Sequence, residues 1–302
     1  MERKDSLITS TYKQLSRGNE AWKKTYITEK PWREMAVDVD SLVFFYMRNY
    51  LDIPYSSKDE RLVADTFIHN TTQATQWVVD DMVRYCRKQL VSLLKYLESI
   101  EIKLHPVFSD GYPKLKRELR AERMRERNGM ERKFPGMDRD EALSSMKKYM
   151  LHFRDEVRDI VVEHRRLKEH LYHCTEADKW CGKNHRIIMT EDVDIFLFGT
   201  KKTIIVKPFL MDEIPKYFCF VDCKSYFVDM GIATHDNFLQ VAFMMGTDYN
   251  YGIKGMGKKR SVEAIARYGS VAKYVAVKYD ITDEGVERMM KEYDKFMAYV
   301  NF

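Results

Sequence analysis

Short apolar runs that each end in an acid constrain the fold of this chain more than any other feature. Met35-Ala36-Val37 leads to Asp38, the run at 102–108 leads to Asp110, and the run at 186–190 leads to Asp192 and Asp194. Each run has the length of a strand, and helical stretches separate them. A helix is predicted from Ser41 through Met47. A longer one is predicted over 74–99, where Met82, Tyr85, Leu90, Leu93, Leu94 and Leu97 recur at helical spacing. Further apolar runs at 195–198, 203–206 and 218–221 continue the alternation. The expected class is α/β, with a mostly parallel sheet flanked by helices. Residues 1–34 read as a helix or an irregular lead-in.

In open sheets of this class ligands bind beyond the carboxyl ends of the strands, which is where these acids fall. A lone Asp in such a place is an ordinary helix cap or turn residue. The set is harder to explain that way, because two like charges ~4 Å apart repel by ~1 kcal/mol in water and ~4 kcal/mol at an effective dielectric of about 20. A cluster of acids therefore needs cations or must retain protons at neutral pH. Oxygen-only ligands select hard ions such as magnesium or manganese. Two more acids, Glu176 and Asp178 in Thr175-Glu176-Ala177-Asp178, are spaced to suit a helix start. Asp248 lies in Gly246-Thr247-Asp248-Tyr249, after an amphipathic helix predicted over 238–245.

Gly252-Ile253-Lys254-Gly255-Met256-Gly257-Lys258-Lys259-Arg260 follows, then a helical stretch at 261–268. This has the form of a helix-hairpin-helix phosphate clamp. Gly252, Gly255 and Gly257 permit a tight hairpin, backbone amides at the next helix face a phosphate, and Lys254, Lys258, Lys259 and Arg260 add charge without reading bases. The alternative is a glycine-rich turn with surface lysines. Glycine spacing alone would be weak, but no strand end precedes it and three consecutive cations follow.

The net charge of +5 is concentrated: residues 111–133 hold nine Lys/Arg and four Glu. Lys116, Arg120, Arg123 and Arg127 share one helix face, which begins six residues after Asp110. Such a run is usually a solvated face, but cations beside an acidic site suit a phosphodiester substrate. The five cysteines form no disulfide framework and no run is long and apolar enough to span a bilayer, so secreted and membrane classes are excluded. His173, Cys174, Cys181 and His185 have no usual zinc spacing and read as packed residues, as do Cys219 and Cys223.

Together these segments resemble the flap endonuclease family, the structure-specific nucleases of the XPG type, with a compact and viral-like length. Ala36-Val37-Asp38 resembles the family's first acidic strand. The segment from Val107 through Pro113 is similar to its Phe-Asp-Gly-x-Pro-Pro element, with Ser109 inserted and Lys114 replacing the second proline. Glu176-Ala177-Asp178 resembles its Glu-Ala-Glu motif with a final aspartate. Asp192-Val193-Asp194 and Phe198-Gly199 resemble its Asp-x-Asp and Phe-Gly element, and Gly246-Thr247-Asp248-Tyr249 with the glycine hairpin resembles its last ligand and helix-turn-helix.

The resemblance implies a PIN-like sheet with a helical arch insertion and a C-terminal helix-hairpin-helix. It implies a single nuclease domain over 1–302, with nuclease halves at 30–110 and 171–250, the arch at 111–170, the clamp at 246–275 and a C-terminal helix at 276–302. Two Mg2+ ions, replaceable by Mn2+, would be held by Asp38, Asp110, Glu176 and Asp178 on one side and Asp192, Asp194 and Asp248 on the other. Asp40 is a spare acid. Lys114 or Lys116 and Arg120 or Arg123 would be the phosphate-facing catalytic cations. The implied activity is hydrolysis of branched, gapped or 5′-flap DNA in replication, repair or recombination, by a monomer acting in the nucleus or cytoplasm. The chain begins Met-Glu-Arg where family members begin Met-Gly-Ile, and it shows no sliding-clamp-binding tail. RNA cleavage on the same scaffold, as in host-shutoff proteins, an inactive DNA-junction binder and a sugar-phosphate phosphatase stand as alternatives.

Overall fold

The computed structural model describes residues 23–29, 32–52, 72–109, 116, 119, 172–174, 176–192, 194–199, 202–211, 216–280 and 283–301. Its strands are β1 (Lys23–Tyr26), β2 (Glu34–Asp38), β3 (Lys103–Ser109), β4 (Tyr172–Cys174), β5 (Ile187–Met189), β6 (Ile204–Val206) and β7 (Tyr217–Asp222). They form one sheet in the order β1-β7-β6-β5-β2-β3-β4. The stretch from β6 to β4 is parallel, and β7 and β1 add an antiparallel edge. The chain runs from β2 outward to β3 and β4, then returns to β5 on the other side of β2. The carboxyl ends of β2 and β5 thus flank the point where strand order reverses, and a crevice opens there in sheets of this kind.

Alternation along the strands explains why helices cover both faces. Met35, Val37, Ile187 and Met189 point into one apolar core, shared with helices α1 (Val39–Asp52) and α2 (Thr72–Ser99). Ala36, Val107, Ile188 and Ile205 point into the other core. There they meet α3 (Ala177–Asn184), α4 (Ile195–Phe198), α5 (Cys223–Asp229), α6 (His235–Met245), α7 (Lys258–Tyr268), α8 (Val271–Lys278) and α9 (Glu284–Asn301). Asp38 shares the parity of Ala36, so its carboxylate emerges on the α3 side. No helix among the described residues is long and apolar enough to cross a membrane.

The α/β reading and the long helix α2 agree with the sequence, and its Met82, Leu90, Leu93, Leu94 and Leu97 are buried. Three expectations change. The lead-in contains strand β1, which pairs with β7 across most of the chain length. The run at 195–198 is a single helical turn, because a four-residue apolar run carries no periodicity that separates helix from strand. Helix α6 is buried at every position from Phe238 to Met245 rather than on one face, since α9 packs over it with Phe296 and Tyr293 on Phe243. Apart from Lys116 and Leu119, the arch segment at 111–170 lies outside the described residues, as do Asp110, Lys114, Arg120 and Arg123.

Candidate active site

Six acids from four chain segments meet at the strand-order reversal. Asp38 ends β2, Glu176 and Asp178 open α3, Asp192 and Asp194 follow β5, and Asp248 follows α6. Local hydrogen bonding sets each one. Asp38 Oδ1 accepts the Ser41 N–H at 3.1 Å, so this acid does cap α1, and its Oδ2 accepts the Thr190 hydroxyl at 3.0 Å. The Thr190 oxygen in turn accepts the Asp192 N–H at 3.0 Å. Ser41 Oγ accepts the amides of Glu191 at 2.8 Å and Asp192 at 3.1 Å, pinning the loop after β5 to α1. Asp192 Oδ1 accepts the Asp194 N–H at 2.9 Å. On β3, the Ser109 N–H donates to Asp40 at 2.9 Å, and its hydroxyl oxygen accepts the Ala177 N–H at 2.9 Å, which registers the start of α3.

Asp38, Glu176, Asp178 and Asp194 are all buried. Burial, and next the Asp40 charge, pushes Asp38 up from 3.8 to about 7. Asp178 is raised well above the carboxylate range by burial, then by Asp192 and Asp38, and it shares a hydrogen bond with Asp38. Burial and the Asp192 charge raise Asp194 well above its ordinary value. Asp192 is raised by burial against the pull of Lys116. Asp178 Oδ1 and Asp194 Oδ1 are buried with no hydrogen-bond partner among the described residues. A buried carboxylate oxygen left in that state is costly unless a cation reaches it.

Lys116 reaches in among these acids. Its Nζ lies 3.2 Å from Glu176 Oε1, 3.9 Å from Asp194 and 3.8 Å from Asp248, and 5.1 Å from the centroid of the Tyr249 ring. Burial works to lower its pKa, but Asp194, Asp178, Asp192 and Glu176 outweigh that and raise it, so it stays an ammonium. Among the described residues no set of three or more His, Cys, Asp and Glu side chains is drawn closely enough together to hold one metal ion. The acids stand around an ammonium. The donor set is nonetheless all oxygen, and two of its oxygens lack a partner among the described residues, which suits a hard divalent cation.

Asp248 is held on a rigid turn. Thr247 and Asn250 bridge, and the Asn250 side chain donates to the Phe243 carbonyl at 2.7 Å. Gly246 (φ 87°) and Gly252 (φ 73°) lie back to back. A Cβ on Gly252 would sit 2.4 Å from the Gly246 nitrogen, so only glycine closes this turn. Helix α7 then begins with Lys258, Lys259 and Arg260 and has no acid in its first turn. Cations there oppose the helix dipole, each by about 0.3–1 kcal/mol, so the arrangement suits an anion at that end. Lys254 and Lys259 are exposed, Arg260 donates to the Gly255 carbonyl at 3.1 Å, and half-buried Lys258 lies near the Asp229 charge.

Sequence reasoning missed Ser41, Thr190, Ser109, Tyr249 and Tyr299, whose side chains hold the acids or their backbone in place. Ser41, Thr190, Ser109 and Tyr249 stand one to three residues from an acid, which is the signal that could have exposed them. Tyr299 carries no such signal. Cys181 is buried and Cys174 donates to the Phe108 carbonyl at 3.6 Å, while the His185 ring lies tilted against Trp180 and His105, so these residues pack.

No protein-family profile matches the chain. It is 36% identical over 104 residues to the DNA repair protein RAD2 of Saccharomyces cerevisiae, covering 33% of this chain and 10% of RAD2. It is 34% identical over 86 residues to flap endonuclease 1 of Branchiostoma floridae, covering 27% of this chain and 21% of that protein. The chain therefore spans well under two thirds of these curated relatives. Its fold is similar to the catalytic core of Rad2 in complex with DNA substrate, with a TM-score of 0.58 at 20% identity over 95% of this chain and 80% of that one. It is also similar to human GEN1 in complex with Holliday junction DNA, with a TM-score of 0.53 at 17% identity over 94% of this chain and 62% of that one. At those identities the structural likeness speaks for the fold alone, while the matched segments make part of this chain similar to RAD2 and to flap endonuclease 1.

Proposed function

We propose that this chain is a divalent-metal-dependent phosphodiesterase that hydrolyses the backbone of branched, gapped or 5′-flap DNA, in replication, repair or recombination. The observation that carries the reading is the gathering of six carboxylates at the strand-order reversal, two of them with buried oxygens that lack a partner among the described residues. Asp38, Asp178, Asp192, Asp194 and Asp248, with Asp110 from outside the described residues, would hold Mg2+ or Mn2+, and Glu176 joins them. Bound divalent cations supply Lewis acidity, activating water and stabilising the leaving oxygen without a side-chain nucleophile.

This chain's own residues do the rest. Ser41 and Thr190 hold the Asp192 loop against Asp38, so the acids from β2 and β5 keep one spacing. Lys116, once its carboxylate partners turn to divalent cations, is placed to offset charge on the scissile phosphate. The segment at 246–275 serves as the clamp: amides at the start of α7, with Lys254 and Lys259, take the duplex backbone with little sequence preference. The arch is assigned to 111–170, and the unit acts as a monomer.

Purified protein given Mg2+ or Mn2+ and end-labelled flap, gapped, nicked and single-stranded RNA substrates tests the reading. Metal-dependent cleavage of the flap, lost in Asp192→Ala with DNA binding largely kept, is the expected result. Full cleavage by Asp192→Ala would end the assignment of the acids, and cleavage of RNA alone would move the substrate class.

A further inference from the structure

Glu176 is a buried carboxylate held by three donors. The Lys116 ammonium and the Tyr249 hydroxyl donate to Oε1, and the Tyr299 hydroxyl donates to Oε2. Tyr299 arrives from α9, more than a hundred residues away in sequence. Its approach is built in: Phe296 and Val300 of α9 are buried, and Phe296 packs at 5.6 Å on Phe243 of α6. The Tyr299 ring lies 5.2 Å from Tyr249 and meets Phe198 edge-on at 6.1 Å. Lys179 of α3 closes the arrangement, with its Nζ 3.9 Å from the ring centroid and donating to the Tyr299 carbonyl at 2.7 Å.

Packing alone would be served by phenylalanine at both ring positions. The terminal torsion of a glutamate is broad, so a carboxylate without partners turns. Two neutral hydroxyls, one on each oxygen, fix its plane without adding charge to the cluster, whereas Lys116 adds charge. Partners of this kind behind ligating carboxylates set ligand orientation, and losing one typically lowers metal affinity or activity by about 10–100-fold.

We propose that Tyr299, with Tyr249, is a positioning residue for Glu176, so that the last helix α9 is part of the metal site and more than its packing support. The inference rests on the nuclease reading of that site. Its test is Mn2+ affinity, read from the electron paramagnetic resonance of free Mn2+, for wild type, Tyr299→Phe, Tyr249→Phe and Asp192→Ala. Tyr293→Phe, which alters the same helix away from the acids, is the control. Each of Tyr299→Phe and Tyr249→Phe should bind Mn2+ about 10–100-fold more weakly, with flap cleavage recovering at high Mn2+ and the metal-free unfolding midpoint close to wild type. Tyr293→Phe should bind as wild type does. If Asp192→Ala loses Mn2+ while both phenylalanine variants at 249 and 299 stay within twofold of wild type, the positioning role is wrong and the nuclease reading stands. If wild type binds no Mn2+, or Asp192→Ala binds it undiminished, both fall.

Discussion

Replacing Asp38 by asparagine should make the metal-free protein more stable while abolishing its chemistry. Asparagine has nearly the same shape: its carbonyl oxygen can keep the Ser41 N–H, and its amide can face the Thr190 oxygen. What it removes is a charge that the fold resists, since the carboxyl is raised from 3.8 to about 7. The native state therefore holds a proton that the unfolded chain has already released. Stability from this group is full below about pH 4, falls as pH rises, and is lost above about pH 7. A shift of about 3 units at 1.36 kcal/mol per unit gives about 4 kcal/mol as the ceiling. Asp178 shares the hydrogen bond and takes up part of the burden, so a gain of about 2–4 kcal/mol at pH 8 is expected. Urea unfolding with a chelator at pH 5, 6.5 and 8 measures it, the variant's advantage growing with pH. Saturating Mn2+ should then stabilise wild type more than Asp38→Asn. A variant no more stable than wild type at pH 8 would refute the account of Asp38 as a buried acid that resists ionisation.

Lys116→Met should destabilise the metal-free protein by about 3–5 kcal/mol at pH 8, because it leaves Glu176, Asp194 and Asp248 without their ammonium. The loss should shrink at pH 5 or with added Mn2+, and an equal loss under all conditions would mean Lys116 matters only for packing. Gly252→Ala should lose more than about 2 kcal/mol in chemical denaturation, since its Cβ would meet the Gly246 nitrogen at 2.4 Å with φ at 73°. Gly255→Ala, strained at φ 84° but with nothing within 4 Å of its Cβ, should lose only about 1 kcal/mol. A Lys254→Ala/Lys259→Ala pair should weaken duplex binding and reduce the slope of log K against log salt by about 2 with the unfolding midpoint unchanged. An unchanged slope would remove the clamp from the DNA interface.

The class of the fold and most of its acids were legible because they rest on short-range physics. Strand-length apolar runs, helical periodicity in α2 and an acid after each of β2 and β5 are local patterns, and the rule that ligands meet strand carboxyl ends turns them into a place. Local pattern could not show that 195–198 is a helical turn, that β1 forms an edge strand or that α6 is buried all round. The four-residue run is too short to show a period, and the other two depend on a partner elsewhere: β7 for β1, and α9 for α6. The same holds inside the site. Asp38 caps α1 and also faces the crevice, two roles that the sequence presents as rivals and that burial on the α3 face makes compatible. Lys116, one of two lysines that the resemblance offers as a phosphate-facing cation, points among the carboxylates, a contact that joins residues far apart in the chain. The sequence by itself determined which residues could carry charge to one sheet edge. Only tertiary packing decided which of them lose water there, and hence which keep their protons, which pair with Lys116 and which are pinned by tyrosines from distant helices, because desolvation depends on neighbours that chain order does not name.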